Sequence, residues 1–482
     1  MEQERIITLY QETFGKTPQS IERLPGAGSN RVYFRIKEED GTTMIGVYGT
    51  SKEENQSFCS LARLFAARQL PVPAVHAISD DAICYLQEDL GSTSLFHFIR
   101  RGRESGGDYN EEEQTMLRRV VSDLPRFQFE CASSEVYEHC YPLKQMDEMS
   151  VMFDLNYFKY CYLKLTGVEF HEIRLENDFR RLAADLLAVK EVGFMYRDFQ
   201  ARNVMLKEGV PFYIDFQGGR RGPIYYDVAS FLWQASAQYS DALRQTLIDE
   251  YIASAQRYIR IDRADFMQKL QLFVLFRTLQ VLGAYGFRGL WERKTHFINS
   301  IPQALQNLSQ CLQNGSCDAY PYLKDVAQTL ISQASRKSPS LSSQESSLVV
   351  TVYSFSYKKG IPEDESGNGG GYVFDCRSTH NPGRYDQYKQ LTGLDQPVIQ
   401  FLEEDGEILR FLQSVYQLVD FHVQRYIDRG FTHLMLSFGC TGGQHRSVYS
   451  AQHVAEHIHN KFGIEVRLHH REKHIDKVLS KK

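Results

Sequence analysis

Nine cysteines are scattered through the 482 residues without a single C-x2-C pair, so the close thiolate spacing of a structural zinc site is missing. Unpaired spacing in a chain of this length reads as reduced thiols rather than a disulfide framework. No run approaches the roughly 18 apolar residues that a membrane-crossing helix needs, and no membrane partner is expected. The opening MEQERIITLYQETFG is amphipathic and acidic, not charged-then-apolar, so no secretory leader is expected and the reading is cytoplasmic. Basic charge is not in excess either. Fifty-five Lys and Arg against 60 Asp and Glu leave a net charge of −5, which argues against a general nucleic-acid coat but allows a local patch. The apolar fraction of 42% and charged fraction of 24% are those of a soluble globular protein. The length suggests two or three domains.

What is present begins with Gly193–Gln217, GFMYRDFQARNVMLKEGVPFYIDFQ. Asp198 opens a polar loop and Asn203 closes it. Val204–Leu206 and Phe212–Ile214 read as two short strands around a Glu208-Gly209 turn, and the second delivers Asp215. Such a loop and hairpin can bring two carboxylates and an amide to one side of a cleft. The order D-x4-N-x11-D is that of kinase-like phosphoryl transfer, with Asp198 as the base for a substrate hydroxyl and Asn203 and Asp215 on magnesium.

The segment IERLPGAGSNRVYFRIKEEDGTTMIGVYG reads as strand, glycine turn, strand, turn, strand. Gly26, Gly28, Ser29 and Asn30 are candidates for a loop whose N–H groups cover nucleotide phosphates. The third strand, Met44-Ile45-Gly46-Val47-Tyr48, has no lysine to pair with phosphates. Lys52, a loop arginine such as Arg31, or backbone and metal alone could compensate. A helix is expected over Glu53–Gln69, and an apolar strand breaks at Gln87-Glu88-Asp89, like a hinge that holds adenine; Glu88 and Leu90 are the candidates there. Residues 111–190 and 241–330 have helical apolar spacing. Asp227 could brace the catalytic loop or cap its own helix.

The stretches PVPAV, LQEDLG, YRDFQARNVM, IDFQGG followed by RRGPIYYDVASF, FRTLQVLGAYGFR and IPQALQNL carry a resemblance to the aminoglycoside phosphotransferase and choline kinase superfamily. More narrowly, residues 1–332 resemble the AmgK-type sugar kinases. The resemblance implies an α+β, protein-kinase-like bilobal fold using ATP and Mg2+. It implies phosphorylation of N-acetylmuramate or N-acetylglucosamine at the anomeric hydroxyl, in cell-wall recycling. That family also lacks the third-strand lysine. It usually has His where this chain has Tyr196, and a tyrosine could keep the hydrogen bond to the loop.

Residues 333–347, QASRKSPSLSSQESS, read as a flexible serine-rich linker. Beyond it the composition changes, with ten of the 15 histidines between His380 and His474. Four strands and helices near 395–429 and 447–461 suggest a smaller α/β domain over 348–482. One strand runs into Cys440-Thr441-Gly442-Gly443-Gln444-His445-Arg446-Ser447 and then a helix. That is an anion site by construction, since free N–H groups and the helix dipole face the loop. It is not a Walker A loop. It does spell C-x5-R-S, which keeps open a cysteine phosphatase with Cys440 as nucleophile and Asp375 or Asp386 as acid.

YKKGIPED, YVFDCRSTHNPGRY, LTGLDQPV, GCTGGQHRSV and the final HHR resemble the C-terminal domain of the RNase adapter RapZ. In that family the domain binds glucosamine-6-phosphate and a small regulatory RNA. The resemblance carries Asp375, Arg377, His380, Asn381, Cys440–Ser447, His470 and Arg471 into an anion site. The P-loop unit that precedes the domain in RapZ is replaced here by the kinase stretch. The reading is therefore an amino-sugar kinase joined to a module for a phosphorylated amino sugar or similar anion. A sensor or RNA-binding adapter is the non-catalytic rival, and oligomerisation is left open.

Overall fold

The computed structural model describes residues 2–25, 31–337, 348–364, 366–367 and 370–481. The chain divides into two compact units, 1–339 and 340–482.

The first unit opens with the helix α1 (Glu2–Phe14), which lies on an antiparallel sheet of order β1-β2-β3-β5-β4. Its strands are β1 (Ser20–Arg23), β2 (Val32–Lys37), β3 (Thr43–Tyr48), β4 (Val75–Ile78) and β5 (Cys84–Glu88). Side chains alternate across a strand. On β3, Met44 packs with Ile6, Leu9 and Tyr10 of α1, while Ile45 and Val47 face Phe58, Leu61 and Phe65 of α2 (Lys52–Ala67). Gly46 has no side chain because there is no room: a Cβ would stand 2.4 Å from Ile6 Cγ2.

The rest of this unit is helical, apart from two small two-stranded antiparallel sheets. β6 (Val192–Met195) pairs with β9 (Arg220–Pro223), and β7 (Val204–Lys207) with β8 (Val210–Tyr213). The β7–β8 turn is Glu208-Gly209, both at positive φ (53° and 75°), the two-residue geometry that matches strand twist. The sheet lobe and the helical lobe together make the kinase-like bilobal fold.

The segment Arg263–Trp291 corrects one expectation: by length and composition it is apolar enough to cross a bilayer, with mean hydropathy 1.3. Its first part, the helix Arg263–Tyr285, packs against the helices Glu148–Cys161, Tyr225–Leu232 and Ile301–Gln313. Helix also runs to Lys337, five residues into the stretch expected as linker, and the remainder of that stretch, 338–347, lies outside the described residues.

The second unit is a mixed sheet of order β11-β12-β10-β13-β14, with β10 (Val349–Ser356), β11 (Gly371–Asp375), β12 (His433–Cys440), β13 (Glu465–His470) and β14 (Ile475–Leu479). The first four are parallel; β14, a fifth strand beyond the four expected, is an antiparallel edge. The helix Arg446–Phe462 covers β10, β12 and β13. Its core, which includes Val350, Leu436 and Val454, shares no residue with the clusters of the first unit.

Candidate active site

The catalytic-loop candidates sit where β6, the β7–β8 hairpin and the following turn meet. Asn203 Nδ2 donates to the Asp198 carbonyl at 2.8 Å and to Asp215 Oδ2 at 3.3 Å. The hairpin is tied to the loop by the Ile214 N–H, which donates to the Asn203 carbonyl at 3.0 Å. Asp215 is held at φ 67°, a left-handed conformation that Asp tolerates better than most residues. Its Oδ1 accepts from Gln217 Nε2 at 2.7 Å. With Nδ2 of Asn203 spent on these bonds, its Oδ1 and the Asp215 carboxylate offer an all-oxygen donor set, which suits a hard divalent cation.

Asp227 is buried, and its carboxylate accepts the backbone N–H groups of Tyr196 at 2.7 Å and Arg197 at 2.8 Å. It therefore braces the loop, and Arg197 takes a φ of 77° between those bonds. Burial pushes the Asp227 carboxyl up to about 7, against the pull of the two N–H groups. The Tyr196 hydroxyl donates to the Ile214 carbonyl at 2.6 Å, directly before Asp215. Asp198 itself is raised above the usual carboxylate range, first by burial and then by the Asp215 charge, while Arg277 and Arg197 work the other way.

Around this loop lies a set that sequence reading missed. Asp154 accepts from Arg197 Nη2 at 3.1 Å and from Gln280 Nε2 at 2.7 Å. Gln280 Oε1 accepts in turn from Arg277 Nη1 and the Tyr226 hydroxyl, both at 2.6 Å. A second missed pair is Glu54 and Gln217, with Gln217 Nε2 3.3 Å from Glu54 Oε1. Apart from Arg277 with Gln280, three residues on along one helix, these contacts join residues far apart in the chain, and no local spacing signals them.

On the nucleotide side, Gly26, Gly28, Ser29 and Asn30 lie outside the described residues. Glu88 ends β5, where its side chain accepts from Lys207 Nζ at 2.5 Å and the Ala74 N–H at 3.1 Å. Leu90 is buried. Lys52 is exposed at the first position of α2, whereas Arg31 is buried and ion-paired to Glu54 at 2.8 Å.

In the second unit, the register sets Ser356 of β10 beside Cys440 of β12. The chain leaves β10 towards β11 and leaves β12 towards β13, in opposite directions, so the Cys440–Ser447 loop stands at a topological switch point, the usual ligand crevice of such sheets. Gly443 has φ 65°, and a Cβ there would stand 2.9 Å from the Ser356 nitrogen. Cys440 Sγ lies 3.1 Å from Ser447 Oγ. Burial would raise this thiol, yet the Ser447 hydroxyl, the N–H groups of Ser447 and Gln444, and Arg446 together bring it below its ordinary value.

The side chains predicted for the anion site divide. Asp375 and Arg377 form an exposed pair at 2.6 Å at the end of β11. Arg446 is buried, and its Nη1 donates to the carbonyls of Arg377 at 3.0 Å and Thr379 at 2.7 Å, so that arm of its fork is committed to backbone. Gln444 donates to the carbonyls of Lys389 and Leu391, and His445 bonds to that of Tyr388; both pin a neighbouring loop. Asn381 Oδ1 accepts from the Gly383 N–H at 3.2 Å. His380 turns to Asp405 and Tyr385. His470 is wholly buried between Ser354 and Gln452. Arg471 Nη2 donates to the Gly360 carbonyl at 2.7 Å.

The model of the phosphotransferase enzyme family matches residues 20–261, and that of the RapZ C-terminal domain matches residues 348–474. Curated relatives include nucleotide-binding proteins of Acidobacterium capsulatum and Staphylococcus carnosus. Each is 36% identical over 126 and 127 residues respectively; the match covers 26% of this chain and 39% and 40% of theirs. The chain thus spans about two fifths of the length of these relatives. Among solved structures, a choline kinase from Cryptosporidium parvum is 11% identical with a TM-score of 0.47, covering 65% of this chain and 97% of that one. The choline kinase LicA from Streptococcus pneumoniae is 12% identical with a TM-score of 0.44, covering 64% and 100%.

Proposed function

Because the chain belongs to the phosphotransferase enzyme family, we propose that its first unit transfers the terminal phosphoryl group of ATP to a hydroxyl of an amino sugar. The acceptor in this reading is the anomeric hydroxyl of N-acetylmuramate or N-acetylglucosamine. The observation that carries it is the meeting of Asp198, Asn203 and Asp215 across contacts of 2.8 and 3.3 Å. Asp198 accepts the proton of the attacking hydroxyl, and burial together with the Asp215 charge holds its carboxyl above the ordinary carboxylate range, which makes it a stronger base than a free carboxylate. Asn203 and Asp215 would hold Mg2+, which when bound offsets charge on the phosphates. Asp227 fixes the two N–H groups before Asp198, so the base is placed before substrate arrives.

The sugar assignment is supported by two separate motif sets, one in each unit. The first resembles amino-sugar kinases, and the second resembles a domain whose family binds an amino-sugar phosphate. The second unit, in this reading, binds such a phosphosugar or a similar anion at the switch-point loop. Its curated relatives carry a nucleotide-binding name, which makes a nucleotide the other ligand to assay. Asp198→Asn should abolish Mg2+-dependent ADP release on either sugar while leaving the melting temperature within a few degrees. Full activity in that variant would remove the assignment of the base.

A further inference from the structure

Phosphoryl transfer needs fixed positive charge beside the nucleotide phosphates, and β3 provides none. Its two faces are given to α1 and to the apolar contact with α2. Three other cations of the sheet lobe are paired with carboxylates of that lobe. Arg35 makes a two-pronged contact with Asp89, at 2.6 and 3.1 Å. Lys16 is paired with Glu38 and Arg5 with Asp81. Lys52 is exposed.

Arg31, immediately before β2, is also paired, but with a carboxylate that leads towards the catalytic loop. Its side chain is only 8% exposed and its Nη2 is 2.8 Å from Glu54 Oε1, on the first turn of α2. It passes close under the end of β3, since a Cβ on Gly49 would stand 3.2 Å from Arg31 Cγ. The same Glu54 oxygen lies 3.3 Å from Gln217 Nε2, which donates to Asp215 Oδ1 at 2.7 Å. Ser57 of α2 donates to the Gln217 carbonyl at 3.2 Å. A continuous line of polar contacts therefore joins Arg31, through Glu54 and Gln217, to the carboxylate assigned to the metal.

Resting on the phosphotransferase reading above, we propose that Arg31 contacts the nucleotide phosphates in place of a third-strand lysine, with Glu54 as its anchor. A guanidinium stays charged at every working pH and has donors on two edges. One edge can bind Glu54 while another meets a phosphate oxygen, which a single ammonium on a short strand residue would do from a different direction. The carboxylate offsets the cost of keeping the cation buried. Because Glu54 also reaches Gln217, loading the phosphate side is mechanically tied to the placement of Asp215.

The test compares ADP with adenosine, which has no phosphates, by calorimetric titration of the full chain in Mg2+. The proteins are wild type, Arg31→Gln and Arg31→Lys. Loss of a charge-assisted contact should weaken ADP binding to Arg31→Gln about tenfold or more and leave adenosine within about twofold. Arg31→Lys should recover part of the ADP affinity, and the KM for ATP should follow the same order. If Arg31→Gln binds ADP like wild type, the inference falls and the phosphotransferase reading stands. If it loses adenosine equally, Arg31 serves the lobe rather than the phosphates, and the inference falls again. A wild-type chain that binds neither compound overturns the phosphotransferase reading and takes this inference with it.

Discussion

Tyr196 ties the candidate catalytic loop to the backbone that delivers Asp215. Its ring is wedged edge-on against Phe127, Phe199 and Phe216, and its hydroxyl reaches the carbonyl just before Asp215. Tyr196→Phe would keep the packing and leave that carbonyl without its donor, at a cost of roughly 1–3 kcal/mol. We expect a modest fall in melting temperature and a larger fall in kcat than in KM, since Asp215 loses the support for its left-handed backbone. Equal activity in Tyr196→Phe would mean the hydrogen bond is incidental. At this scale the sequence was most legible where partners are close in the chain: Asp198, Asn203 and Asp215 lie within one loop and hairpin. Asp154 and Gln280, 126 residues apart, could be seen only once the helices had packed.

Among elements, the hairpin and the glycine loop of the second unit followed from turn chemistry, and the edge strand β14 did not. Its residues, IDKVL, alternate too briefly to stand out from the basic tail. The histidine-rich character of this unit also misleads, because His470 belongs to the sheet rather than to the loop crevice. It bonds Ser354 Oγ at 2.9 Å across β10 and β13, and burial, with Lys477 and His469 nearby, pushes it down to about 4. The unfolded chain takes up that proton near the ordinary value of about 6.5. Between the two values the unfolded state binds the extra proton, so the stability this group confers is full above 6.5 and is lost as pH falls towards 4. The protection factors of the β10 and β13 amides in the intact chain, taken relative to intrinsic exchange at each pH, should fall as pH drops across that window. His470→Gln should flatten the dependence there while leaving the steeper loss below about 4, where carboxylates such as Asp375 and Glu472, held below their ordinary values, take up protons. An unchanged slope in the variant would place the titration elsewhere.

For the molecule as a whole, the three clusters of buried apolar residues have separate memberships: two built from residues before Ile331 and one from residues after Ser347. Among the described residues, each sheet is built from strands of one unit alone. A core that depends on no residue of its neighbour should survive separation. Residues 1–339 and 340–482, expressed apart, should each unfold cooperatively, at midpoints within a few degrees of transitions in the full chain. The first fragment should keep the ADP release of the intact protein, because every residue placed around Asp198 lies before residue 339. A first fragment that folds but turns over several-fold more slowly would instead make the second unit part of the catalytic cycle. In that case a ligand at the Cys440–Ser447 loop should alter kcat in the intact chain, and adding phosphosugar to the assay would read the coupling directly.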